Sequence, residues 1–255
     1  MTVRMIFNAD DLGRTVGIND GIFEAHERGL VRSATLMVGF DSSADAGQRM
    51  RQHPGLGVGL HLTMSGARPT LPAAELPSLV DAHGLLPRKP ELFGQPRLEE
   101  VLSEARHQLM LFREFTGRDP THFDSHHHSH RHPVVAEAVV TLALELGVPV
   151  RRSSEALSER FRVRKVASTD SFFEAFFDSG ATVETLLSLF SAARGGSLGS
   201  SIEVMCHPGY ADEVLRAESG YADAREREIG VLCDPEVLGA FTAAGLVNSR
   251  FDELA

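Results

Sequence analysis

Apolar, β-branched-rich runs recur along the 255-residue chain, each followed by a stretch with helical period. That alternation restricts the chain to a β/α architecture, because consecutive strands joined by helices line up in parallel and bury both faces of their sheet. The clear runs are VRMIF (3–7), SATLMVG (33–39), LGVGLHL (56–62), THFDS (121–125), VPVRR (148–152) and SIEVMCH (201–207). FRVRKVA (161–167) and LVNSRF (246–251) are weaker members of the set. Seven or eight such strands, mostly parallel, predict a closed or nearly closed α/β barrel rather than a small open sheet.

Three intervening segments carry a helical pattern. LEEVLSEARHQLMLFREF sets Leu98, Val101, Leu102, Ala105, Leu109 and Phe112 on one face and runs out at Gly117 and Pro120. PVVAEAVVTLALELG opens on Pro133, which suits a first helical turn, and stops at Gly147. TVETLLSLFSAARGG offers Thr182 as N-cap and Glu184 in the first turn, where negative charge favours the helix dipole. Residues 66–97 hold half of the twelve prolines, which predicts an irregular excursion on a single domain spanning 1–255.

A formal charge of −10 repels a phosphate backbone, so nucleic acid is an unfavourable partner. The two cysteines, Cys206 and Cys233, lack the spacing of a zinc ribbon or disulfide framework. The N-terminus reaches charge too soon for a signal-peptide core, and no segment has the length of a membrane span, so the expected location is cytoplasmic.

Polar groups sit where the predicted strands end. Asp10 and Asp11 follow VRMIFNA, His61 lies in VGLHLT, Asp124 and His126 follow THF, and His207 follows EVMC. In a β/α barrel these ends share one face, where active sites lie. Successive side chains of an extended strand diverge, so Asp10 and Asp11 should divide their work, one binding a cation and one facing a reacting water. Asp11, His61 and one histidine of FDSHHHSH form a carboxylate–imidazole set that suits a divalent metal with positions open for water. Strand alternation sends His126 and His128 to one side and His127 to the other, and spacing does not choose between His126 and His128 as ligand. Asp124 is placed to accept an imidazole N–H. His130 and His132 read as surface or rim groups, and His207, before a Pro-Gly turn, as a proton donor to a leaving group.

NADDLG, VGLHLT, THFDSHHHSH and EVMCHPGY, in that order, resemble the YdjC-like carbohydrate deacetylase family, which includes chitooligosaccharide deacetylases. The resemblance implies a distorted TIM-type barrel and a metal-dependent hydrolase that removes an N-acetyl group from a small amino sugar or chitooligosaccharide. It implies one divalent metal, zinc or magnesium foremost and manganese, cobalt or nickel also admissible, held by Asp11, His61 and His126. It further implies Asp10 as catalytic base, His207 as general acid, and a homodimer. Asp124, His128 and Arg151 are then candidates for the groups that orient the ligands or line the sugar pocket. With no tryptophan in the chain, any aromatic platform for a sugar must be Phe, Tyr or His.

Two other functions compete. A metallophosphoesterase needs a second metal and cations for phosphate, for which Arg151 and Arg152 are the adjacent candidates. A non-enzymatic metal-binding protein would use the histidines of 126–132, and leaves Asp10, His61 and His207 unexplained.

Overall fold

The computed structural model describes residues 2–254. Strands β1 (Arg4–Leu12), β2 (Ser33–Leu36), β3 (Gly57–Leu62), β4 (Phe123–Ser125), β5 (Ser171–Phe173), β6 (Ser201–Cys206) and β7 (Val247–Asn248) form one sheet in the order β4-β3-β2-β1-β6-β5. Every pairing is parallel. Central β1 pairs with β6 along one edge and divides the other: β7 takes Arg4 and Met5, and β2 takes Asn8, Ala9 and Leu12.

The sheet is a curled half-barrel. VPVRR, expected as a strand, contributes a single bridge from Val150 to Phe123. Pro149 has no N–H for a ladder, and the Arg151 side chain is drawn wholly inside the curl. Residues 161–164 of FRVRKVA instead close helix α5 (Glu155–Arg164), begun by Ser154, whose hydroxyl accepts from the Leu157 N–H, and Lys165 ends it with a left-handed backbone. Val163, whose β-branching favours a strand reading, lies on the exposed side of that helix. Strand β5 went unpredicted because its three residues are only half-buried and carry no alternation.

Three helices match the sequence pattern. In α3 (Leu98–Thr116), Val101, Ala105, Leu109 and Phe112 are buried, with Leu98 and Leu102 packed at the margin. Each large side chain so buried stabilises the fold by about 1.5–3 kcal/mol. Gly117 ends α3, and Gly147 ends α4 (Pro133–Leu146), both with the left-handed backbone that glycine accepts freely. Thr182 caps α6 (Val183–Arg194) by accepting from the Thr185 N–H. The remaining helices are α1 (Val16–Arg28), α2 (Ser43–Arg49), α7 (Glu213–Glu218), α8 (Asp223–Leu232) and α9 (Pro235–Ala243).

Residues 66–97 contain two 3-10 turns and no other regular element. A polar stripe on α3 ties down the ends of this excursion and its first half. Glu104 accepts from the N–H groups of Thr70 and Leu71, Glu100 from the Ser78 N–H, and Gln108 bonds both Thr63 backbone groups. Leu76, Leu79 and Leu86 then bury themselves beneath the excursion. No helix among the described residues is long and apolar enough to cross a membrane.

Candidate active site

The C-terminal strand ends open into a cavity of about 380 Å³. Asp10, Asp11, His61, His126, His127, His128 and His207 all line it. Both aspartates face it because β1 does not stay extended. Between Ala9 and Leu12, three steps of β1 match two of β2, a bulge, and Asp11 takes the left-handed backbone with φ of 69°. The expected divergence of Asp10 and Asp11 is thereby cancelled; aspartate tolerates this conformation better than most residues.

The histidine run corrects a second expectation of alternation. Strand β4 ends at Ser125, and His126–Arg131 continues as a distorted 3-10 turn with His127 and His128 at positive φ. All three of His126, His127 and His128 therefore reach the cavity. His130, read as a rim group, is fully buried. Ser125 and Ser153 hydroxyls grip its two ring nitrogens, so it fastens the turn to the segment after α4. Burial pushes its pKa down to about 3, so the ring stays neutral at ordinary pH. His132 is the N-cap residue of α4.

Asp11, His61 and His126 each offer a ligand atom, all within 4.8 Å of one another. Asp11 Oδ1 lies 3.5 Å from His61 Nε2 and 3.1 Å from His126 Nδ1. It is buried without a hydrogen-bond partner, a costly arrangement that a cation would relieve. Its sister oxygen accepts from Arg225 Nη2 at 2.5 Å. Burial alone would raise the Asp11 pKa, but Arg225 and His126 outweigh it and hold the carboxyl well below the usual range. The donor set of one carboxylate and two imidazoles fits a divalent metal.

His61 is aimed by its neighbours. Its Nδ1 sits 2.6 Å from Asp124 Oδ1, and Thr35 donates to the other Asp124 oxygen at 3.0 Å. With Nδ1–H donating to Asp124, Nε2 presents its lone pair toward Asp11. His128 lies 3.7 Å from Glu174 at the rim, away from Asp11, His61 and His126.

Behind the cavity, Arg151 is fully buried among three carboxylates. Its Nη1 and Nη2 donate to Asp10 at 2.7 and 2.6 Å, Nε donates to Glu203 at 2.6 Å, and Nη1 lies 2.9 Å from Asp124. Burial disfavours the Asp10 charge, yet Arg151 prevails and keeps Asp10 ionised far below its ordinary range. Glu203 shows the opposite balance: burial and the neighbouring Asp124 and Asp10 charges push it up to about 8 against the pull of Arg151. The guanidinium thus has nothing left for a substrate phosphate. Arg152 points to the surface, toward Glu155 and the Asp170 carbonyl.

His207 follows β6, with Nε2 3.8 Å from Asp10 Oδ2. Its turn is pressed against α1, where a Cβ on Gly21 would sit 2.5 Å from the Gly209 Cα. Burial pushes its pKa down to about 4 despite the Asp10 charge. Sequence reasoning missed the other wall of the site. Arg225 and Glu228 share one face of α8, Tyr221 lies just before that helix and four residues from Arg225, and Glu228 accepts from both the His207 backbone and the Tyr221 hydroxyl. That spacing was the available signal.

The family model described as YdjC-like protein matches residues 4–243. The chain belongs to this family. Among its relatives, a carbohydrate deacetylase of Geobacillus stearothermophilus is 39% identical over 241 residues, 94% of each chain. A chitooligosaccharide deacetylase of Serratia marcescens is 35% identical over 256 residues, 98% of each. A crystal structure from Enterococcus faecalis V583, named for a conjectured role in cellobiose-phosphate cleavage, superposes with a TM-score of 0.94 at 32% identity over the whole of both chains. The Xyl-CE4 domain of a xylanase from the hindgut metagenome of Trinervitermes trinervoides shares the fold, with a TM-score of 0.56 at 10% identity and 100% and 90% coverage.

Proposed function

We propose that the protein is a metal-dependent deacetylase that hydrolyses the N-acetyl group of a small acetylated amino sugar or short chitooligosaccharide. The observation that carries this reading is the meeting of Asp11, His61 and His126 with Asp10 and His207 in one cavity, in a chain whose relatives are named carbohydrate deacetylases. Asp11, His61 and His126 would hold a divalent ion, which supplies a Lewis acid for the acetyl oxygen and an acidified water. Zinc or magnesium suits them foremost; manganese, cobalt and nickel are admissible.

The protein's own groups manage the proton. Asp10, kept ionised and immobile by Arg151, accepts a proton from the attacking water. His207, with Nε2 3.8 Å from Asp10 Oδ2, receives it in turn. The resulting imidazolium is a strong acid that donates to the amine nitrogen as the C–N bond breaks. Water thus supplies the hydroxyl of acetate and the new N–H of the amino sugar.

The competing readings lose support at particular atoms. A second ion between Asp10, His61 and Asp124 would have to displace Arg151, which already bridges Asp10 and Asp124. The histidine run supplies one member, His126, to a ligand group. The deciding experiment is acetate release from N-acetylated mono- and disaccharides as zinc, magnesium, manganese, cobalt and nickel are varied. Activity that requires one bound ion per chain supports the proposal; phosphate release from esters with two ions per chain overturns it.

A further inference from the structure

We propose that Phe177 is the platform on which the pyranose ring of the substrate stacks beside His207, and that Tyr221 is the strut that holds it there. This rests on the deacetylase reading and adds the residue that recognises the sugar rather than the acetyl group. Phe177 is a large aromatic with 40% of its surface exposed, and it lines the cavity. One face is covered by Tyr221, with ring centroids 4.1 Å apart and planes at 18°. The ring also meets His207 edge-on at 5.3 Å. A sugar on the uncovered face would therefore bring a ring substituent to the proposed proton donor.

The strut is built, not incidental. The Tyr221 hydroxyl donates to buried Glu228 and accepts from the Asp178 N–H at 2.9 Å, clamping the turn that follows Phe177. Asp178 takes a positive φ of 52° there, and the turn closes so tightly that a Cβ on Gly180 would lie 2.1 Å from the Ala175 carbonyl oxygen. A strained backbone held by the Tyr221 hydroxyl, itself anchored on buried Glu228, keeps an apolar ring in the open, where hydrophobic collapse would otherwise hide it. The C–H groups on one face of a pyranose match the electron-rich face of an aromatic ring. In a chain without tryptophan, this pair is the aromatic surface adjoining Asp10 and His207.

The absence of tryptophan also provides the test. Phe177→Trp installs a sole reporter, whose emission can be titrated with glucosamine, a pyranose of the product class, and with sorbitol, an open-chain polyol. Quenching or a spectral shift with glucosamine and none with sorbitol supports the platform; no response to glucosamine, or equal responses to both, overturns it. This reading needs no turnover, so it stands apart from a failure of the deacetylase proposal, which would show as no acetate release by the wild-type protein. Where acetate is released from N,N′-diacetylchitobiose, Phe177→Ala should raise KM roughly tenfold while kcat changes less, the size of a lost stacking contact. Phe177→Trp should recover most of that loss, and an unchanged KM in Phe177→Ala overturns the proposal.

Discussion

Asp10, Asp11, His61 and His126 reach the cavity from β1, β3 and the turn after β4, with Asp124 of β4 buried behind His61, whereas Phe177, Tyr221 and Arg225 reach it from a turn and from α8 with its approach. The strand-borne half is a dense buried array placed chiefly by the sheet: His61, for example, sits opposite Asp124 in the β3–β4 ladder. The other half hangs on side-chain hydrogen bonds between segments that share no ladder, such as Tyr221 to Glu228 and Arg225 to Asp11. Position is set by backbone pairing in the first half and by long side chains in the second. The first should therefore fail by losing chemistry or folding, and the second by losing precision.

The largest effect belongs to Asp10→Asn. It should lower kcat by about 10²–10⁴-fold, the usual share of a general base, while metal content measured by atomic absorption stays stoichiometric. Near-normal turnover would remove Asp10 from the base role. Arg151→Met leaves Asp10 and Asp124 without their shared counterion and Glu203 without its donor, and should cost about 3–5 kcal/mol in urea unfolding, since an uncompensated buried charge is expensive. A change below about 1 kcal/mol would mean that those carboxylates are already protonated.

Glu228 gives the helix-borne half a pH signature. Burial lifts its pKa from the usual 4.5 to about 7, against the contrary pull of the His207 N–H, the Tyr221 hydroxyl and Arg225. The folded protein then keeps a proton that the unfolded chain has lost, so this contribution is whole below the unfolded value and is lost as pH rises through about 7. Thermal melts should show stability falling from pH 5 to 8 by no more than about 3 kcal/mol from this group, and Glu228→Gln should flatten that part of the curve. An unflattened profile would place the titration elsewhere. Smallest of the four, Arg225→Lys should weaken metal binding by about 10–100-fold in a chelator competition without abolishing it, as loss of a group behind a ligand does. Unchanged affinity would show that Asp11 needs no help from α8.

The same contrast explains what the sequence made legible. A carboxylate or imidazole inside an apolar run, as in VGLHLT or MIFNADD, is anomalous and draws notice. Arg225 and Glu228 lie in YADAREREIG, where charges at every turn look like a solvated helix face, and only tertiary packing buries them. Period-two reasoning failed where the backbone left the strand, at the Asp11 bulge and the His127–His128 turn, because bulges have no signature in residue type alone. Arg151 was noticed as a charge after a strand; its burial follows from carboxylates that arrive from β1, β4 and β6.

The division of the β1 edge between β2 and β7 also sets a timetable for synthesis. Strand β1 leaves the ribosome long before its neighbours β6 and β7, which end at Cys206 and Asn248. At roughly 5–20 residues per second, the central strand waits on the order of ten seconds or more for its partners. Asp11, His61 and His126 all precede Arg225, the last of them by almost a hundred residues. The nascent chain thus exposes its ion-binding side chains well before the arginine that will confine them, and a chaperone guarding that interval would have an unpaired strand edge as its handle.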